Sequence, residues 1–355
     1  MQQGPGRRSP ALAVWGLSAA LDRHPQDETC DLRTTIGEWS RLVRGDQAGW
    51  GRGWLTGATE ACGAQADGMP RHGVYVQTFG GFCLYRDGVP VPAQAWRRGA
   101  ARRLLVCLLL ADGHFVCRSQ LAAALWPELG SGSAAASLRV TLHALRRVLQ
   151  PGLPPRAPSA YLEVGPSGCR LLQRADVRWD VGDLRRALRQ AEAAGDEADA
   201  TEALVRGLAG VRGPWMPEEE AGGVAFAGWQ WRLTAEAVGA ATRLAEMALR
   251  AGRPDAAIHW AGRALELDPA AEPAQALVVR ALAARGLTAQ ARAAYVAGCR
   301  HLREQLDQDP GSELRRAAVE AGVLGLPASR PLRGEVPRVS RSFLQPEAVG
   351  GPIGP

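Results

Sequence analysis

Gly252-Arg-Pro-Asp-Ala-Ala257 returns as Gly286-Leu-Thr-Ala-Gln-Ala291, 34 positions further along. Each copy lies between alanine-rich segments, and Asp268-Pro269 and Asp309-Pro310 close the two units. A period of this length holds two helices and a tight turn, with glycine freeing the turn and alanine letting the paired helices cross closely. Such a unit cannot bury its apolar face alone, and two units fall short of the three a stack needs. Asp183–Ala194 and Asp199–Leu208 offer a further, less regular helical pair, and a long helix opens at Trp229 and runs to about Arg250. The segment 176–325 therefore reads as an all-α stack of helical pairs.

A second constraint lies upstream. In the stretch Ser133–Leu149, Leu138, Leu142, Leu145 and Leu149 recur at helical spacing and form one apolar stripe. Arg139, His143, Arg146 and Arg147 project from the remaining faces with no acid among them. A solvated helix usually mixes both signs, so a purely cationic free face points to an anionic partner, with duplex DNA the first candidate. The charge balance agrees. The whole chain carries a formal +6, with every cation an arginine. Between Gly73 and Arg174, twelve arginines stand against Asp87, Asp112, Glu128 and Glu163. That window carries +8, which leaves the rest of the chain at −2.

Other classes find little support in the residues. The seven cysteines are scattered and never form a CxxC pair, which fits reduced thiols in a cytoplasmic protein. His114 lies between Cys107 and Cys117, but no fourth ligand sits nearby, so no metal is expected. No apolar run reaches the roughly 18 residues of a membrane span, and Pro10 breaks the short run after Arg7-Arg8. There is no phosphate loop, no GxSxG, no HExxH and no grouping of carboxylates with histidine, so neither catalysis nor a cofactor is expected. Residues 1–72 carry no sustained period beyond a short helical pattern around Leu32–Val43, and are too short for a phospho-receiver domain of roughly 120 residues. Residues 326–355, rich in proline and glycine, read as a disordered tail.

Between these segments the elements follow a recognisable order. Val74–Gln77, Phe82–Tyr85 and Val89–Val91 alternate around an Asp87-Gly88 turn as a small antiparallel sheet. Ala100–Leu110 and Val116–Trp126 read as two helices before the cationic one, with Cys117 about where a Ser or Thr cap is expected. Tyr161–Val164 and Cys169–Leu172 then read as a hairpin. Sheet, three helices and hairpin are the order of a winged helix. The motifs SQLAAALWPEL, SLRVTLHALRRVLQP and YLEVGPSGCRLL resemble the OmpR/PhoB-type winged helix-turn-helix. With the helical repeats behind them, residues 74–322 resemble the AfsR/DnrI/RedD (SARP) family of actinobacterial regulators. The expected fold is mainly α with a small β component. A winged helix-turn-helix at 73–174 is followed at 176–325 by a tetratricopeptide-like domain of the bacterial transcriptional activator type.

The resemblance implies a sequence-specific DNA-binding transcriptional activator. It places the helix 133–149 in the major groove, with Arg139, Val140, His143, Ala144 and Arg146 turned toward the bases and Arg147 near a phosphate. Arg97, Arg98, Arg102 and Arg103, with no acid between Asp87 and Asp112, look like contacts that position the DNA backbone. Ser167 and Arg170 of the hairpin would approach the minor groove or its phosphates. The implied partners are direct-repeat promoter DNA, RNA polymerase holoenzyme and a second copy of the chain on DNA. The sequence departs from the family pattern at Cys117, Ala144 and Cys169. These departures leave a second reading open, a tetratricopeptide-type scaffold whose winged helix no longer reads DNA.

Overall fold

The computed structural model describes residues 73–324, apart from 97–98, 155 and 218–223. The expectations for 1–72 and 326–355, and for Arg97 and Arg98, lie outside the described residues.

The chain enters through β1 (Val74–Gln77), β2 (Cys83–Arg86) and β3 (Val89–Pro90), an antiparallel meander. Asp87 and Gly88 both take positive φ (50° and 77°), which matches the twist of a two-residue hairpin. After a 3-10 turn at Ala93–Trp96 come α1 (Gly99–Leu110), β4 (Val116–Cys117), α2 (Arg118–Leu125) and α3 (Ser131–Leu149). Next are β5 (Leu162–Val164) and β6 (Gly168–Leu171), then β7 (Val177–Trp179). One sheet has the order β3-β2-β1-β7, the other β4-β6-β5. The leucine stripe of α3 is buried against Leu104, Leu105 and Leu108 of α1, Leu121 and Leu125 of α2, and Leu162 and Leu171 of the hairpin. Burying such side chains contributes roughly 1.5–3 kcal/mol each, so this shared core fixes the outward faces of α3 and the hairpin.

Two expectations about these elements need correcting. Val116 and Cys117 do not open the second helix. They pair with Cys169 and Gly168 as a short strand, and α2 begins at Arg118 with Cys117 as its N-cap. And the chain does not turn helical directly after Asp176: Val177–Trp179 lies parallel to β1, with Val74 opposite Val177 and Val76 opposite Trp179. A two- or three-residue strand has no period of its own. Its partners, some fifty and a hundred positions away, make it a strand.

The helical part runs α4 (Asp180–Ala193), α5 (Glu197–Leu208), α6 (Val224–Arg250), α7 (Pro254–Leu267), α8 (Glu272–Ala284), α9 (Thr288–Leu306) and α10 (Ser312–Glu320). The long helix starts at Val224, earlier than Trp229, and there Phe226 is buried and stacked on Trp215 at 6.3 Å. The repeated glycines act as their spacing predicts. Gly252 (φ 67°) and Gly286 (φ 74°) end α6 and α8 in the left-handed conformation, followed by Arg253 N donating to Ala248 O and Leu287 N to Leu282 O. Ala257, Ala261 and Ala264 of α7 and Ala291 and Ala294 of α9 are buried where the helices cross.

The two parts share one seam. Phe79, just beyond β1, belongs to the helical core and bridges to Trp215. Gly80 N donates to Pro214 O (2.9 Å) and Met216 N to Thr78 O (2.8 Å). At the centre of the seam is Asp180, fully buried at the start of α4. Its Oδ2 accepts from Thr78 N (2.5 Å) and Phe79 N (2.6 Å), and its Oδ1 from Thr78 Oγ1 (2.6 Å) and Val181 N (2.9 Å).

Candidate nucleic-acid interface

One side of α3 is sealed by Ala134, Leu138, Thr141, Leu142, Leu145, Val148 and Leu149. The opposite side carries Ala136, Arg139, Val140, His143 and Arg147, all exposed, with Val140 47% accessible. Arg139, His143 and Arg147 form no ion pair or hydrogen bond among the described residues. Their donors are therefore available to a ligand. Ala144 is half-buried at the flank of this strip and adds no polar group.

Arg146 is set apart from the other α3 arginines. It is half-buried, and its Nη2 donates to the carbonyl of Ala157. The chain leaving α3 is tied down nearby, where Gln150 Oε1 accepts from Ser159 Oγ (2.6 Å) and Ala160 N (2.9 Å). Arg86 Nη1 donates to Val148 O (3.0 Å), satisfying a carbonyl in the last turn of α3. Arg146→Ala is accordingly expected to free the chain at Ala157 and lower stability by about 1 kcal/mol, a loss readable in a chemical denaturation curve. Random-sequence DNA should be held as tightly as before.

The hairpin is braced from α2. Arg118 Nη2 donates to Gly165 O (2.9 Å), and Arg118 N to Ser167 O (3.3 Å). Sequence reasoning missed Arg118, although a cation directly after a helix cap was a usable signal. Ser167 is exposed at the hairpin's tip. Arg170 is engaged across the strands: its Nε and Nη2 donate to Glu163 Oε2 (2.9 and 2.7 Å), and its guanidinium lies 4.6 Å from the Phe115 ring centre. Gly168 lets β6 pass close to β4, for a Cβ there would come within 2.2 Å of Val116 O.

Arg102 and Arg103 are half-buried in the first turns of α1. The Arg102 guanidinium lies 5.8 Å from the ring centre of Phe82, and Phe82 meets Trp96 edge-on at 5.0 Å. The stems of both arginines are thus packed rather than freely solvated.

The cysteine departures have structural places. Cys169 is wholly buried in the core beneath the hairpin, and burial pushes its thiol up to about 11. Cys107 is likewise held up, to about 12. Cys117 is the opposite case: the Ser119 hydroxyl, 3.2 Å from its sulfur, holds its thiol below the ordinary value. Cys117 N is met by Gln120 Oε1 at 3.3 Å and the Cys117 sulfur faces the Gln120 backbone N–H, so α2 keeps a capping box. Among the described residues no group of three His, Cys, Asp or Glu could hold a metal ion. No described helix is long and apolar enough to cross a membrane.

The architecture defines a class: a winged helix continued, through a shared seam, into a stack of helical pairs. Comparison with known proteins makes the class specific. Residues 179–321 match the bacterial transcriptional activator domain. The chain is 30% identical over 281 residues to the regulatory protein AfsR of Streptomyces coelicolor, a match covering 74% of this chain and 26% of AfsR. It is also similar to the solved structure of Mycobacterium tuberculosis EmbR in complex with a low-affinity phosphopeptide. The TM-score is 0.55 at 25% identity, over 70% of this chain and 64% of that one. The chain thus spans about a quarter of the length of AfsR. These matches make the chain similar to SARP-type transcriptional regulators, with the bacterial transcriptional activator domain at 179–321.

Proposed function

We propose that this chain binds duplex DNA at promoters and activates transcription from them. The exposed strip of α3 carries the reading: among the described residues Arg139, His143 and Arg147 have no partner, while the opposite face of the helix is locked in the core. In this reading α3 enters the major groove. Arg139 and His143 donate to base edges, and Val140 and Ala144 offer apolar contact to a thymine methyl. Arg147 lies near a phosphate, and Arg146 acts by bracing the segment after α3. Ser167, presented by Arg118, and the solvent side of Arg170 meet the backbone beside the hairpin, and Arg102 and Arg103 add charge behind them. The helical domain contacts RNA polymerase or a second copy of the chain, and the copies lie head to tail on direct repeats. Burial of Cys169 and the surviving cap at Cys117 support this over a scaffold with a lapsed winged helix, since both departures are accommodated without disturbing α2, α3 or the hairpin.

The test is binding of random and promoter duplexes across a salt series. Each neutralised phosphate contributes about −0.9 to the slope of log affinity on log salt, so a slope of about −4 or steeper is expected. Footprints should fall on one face of the duplex at direct repeats. Weak binding that is flat in salt would give the chain to the scaffold class.

A further inference from the structure

A cleft of about 380 Å³ opens where the winged helix meets the helical domain, between the end of α1, the chain from Leu171 to Arg178, and α4. Its size falls in the range of small-molecule sites. None of its lining residues lies on α3 or at the hairpin tip. Five arginines line it: Arg174, Arg178, Arg185, Arg186 and Arg189. Asp112 is the acid among the lining residues.

The ion pairs around these arginines leave an excess of positive charge. Asp183 is shared by Arg178 and Arg186, each at 2.7 Å. Glu236 is shared by Arg185 at 2.8 Å and Arg232 at 3.7 Å. Arg174 pairs with Asp176 at 2.8 Å, a carboxylate that also accepts from the Tyr161 hydroxyl at 3.3 Å. Arg189 reaches no carboxylate among the described residues. A guanidinium carries five N–H donors, and one shared carboxylate cannot satisfy two of them. The concave wall concentrates that unsatisfied field. Arg185, Arg186 and Arg189 follow one another within little more than one turn of α4, so their forks can converge on one chain of phosphates. Trp179, also lining the cleft, is fixed beside them, because Gly182 leaves the room its indole needs: a Cβ there would come within 2.4 Å of the ring.

We propose that this cleft binds a small molecule bearing two or more linked phosphates, held by Arg186 and Arg189 with Arg178 and Arg185 behind them. The site is separate from the DNA-reading surface and does not depend on that reading. A duplex backbone is a less suitable occupant, since the arginines line a recess at the domain seam rather than an extended ridge. A ligand there touches both α1 and α4, and so bears on how the two parts are joined.

Calorimetric titration of the full chain tests this, with tripolyphosphate, ATP and adenosine as probes. Tripolyphosphate and ATP are expected to bind saturably and adenosine not at all. The tighter of the two binders distinguishes an inorganic oligophosphate from a nucleotide. The variant Arg186→Ala/Arg189→Ala, both positions being exposed, should keep its melting temperature and lose at least tenfold in affinity for either phosphate probe. Absence of binding by both at millimolar concentration overturns the proposal, as does unchanged affinity in the variant. A variant that instead loses affinity for random DNA, with a shallower salt slope, assigns these arginines to the duplex and also overturns it.

Discussion

Asp180→Ala is expected to be severely destabilising at the seam between the two parts. Removing the carboxylate leaves Thr78 N, Phe79 N and Val181 N buried without acceptors. Each orphaned donor costs about 1–3 kcal/mol, so a loss of about 3–5 kcal/mol is expected, a fall in melting temperature on the order of 10 °C. Asp180→Asn should be much milder. With its oxygen toward Thr78 N and Phe79 N, the amide can donate to a Thr78 hydroxyl turned round, and Val181 N alone goes unmet. The amide also avoids burying a charge. Burial pushes the Asp180 carboxyl up to about 6, against four hydrogen bonds that favour the anion. The unfolded value is near 3.9, so between these values the folded chain binds the proton more tightly. The stability contribution is thus fully present below about pH 4 and is lost as pH rises through 6, by about 3 kcal/mol. Melting curves from pH 4 to 7 should show that fall in the parent chain and a flatter profile in Asp180→Asn. Equal damage from the two substitutions would show that the four hydrogen bonds do not carry the seam.

What the sequence revealed and what it hid follow one physical division. The leucines of α3 and the glycine turns at Gly252 and Gly286 are local patterns, set by helix geometry and backbone freedom, and they were legible without a fold. Asp180 was not, because it acquires its meaning from Thr78 and Phe79, about a hundred positions away. β4 and β7 were hidden for the same reason. The candidate site divides similarly. At about 100° per residue, Arg147 stands roughly 170° from the middle of the leucine stripe and Arg146 only roughly 70° from it. Exposure of Arg147 was therefore readable from the helix alone. The angle placed Arg146 at the stripe's edge, but its acceptor, Ala157 O, required knowing how the proline-rich segment folds back.

The exposed arginines of α3 give the sharpest test of the interface. Arg139→Glu/Arg147→Glu is expected to lower affinity for a cognate promoter at least a thousandfold at physiological salt. Each arginine withdrawn from the duplex is worth about 1–3 kcal/mol, and each new carboxylate adds repulsion from the phosphates. The salt slope should become shallower by about 1 for each phosphate left without its arginine. Neither residue has a partner within the described chain, so the melting temperature should fall by only a few degrees, from the carboxylate placed at the negative end of the α3 dipole, and weakened binding cannot be ascribed to unfolding. The comparison is Arg170→Ala, where the side chain is already committed to Glu163 and Phe115. There a severalfold loss is expected, equal on promoter and random DNA, because a backbone contact beside the hairpin carries no base information. If Arg170→Ala erased discrimination while the double reversal left it intact, the reading element would be the hairpin and not α3.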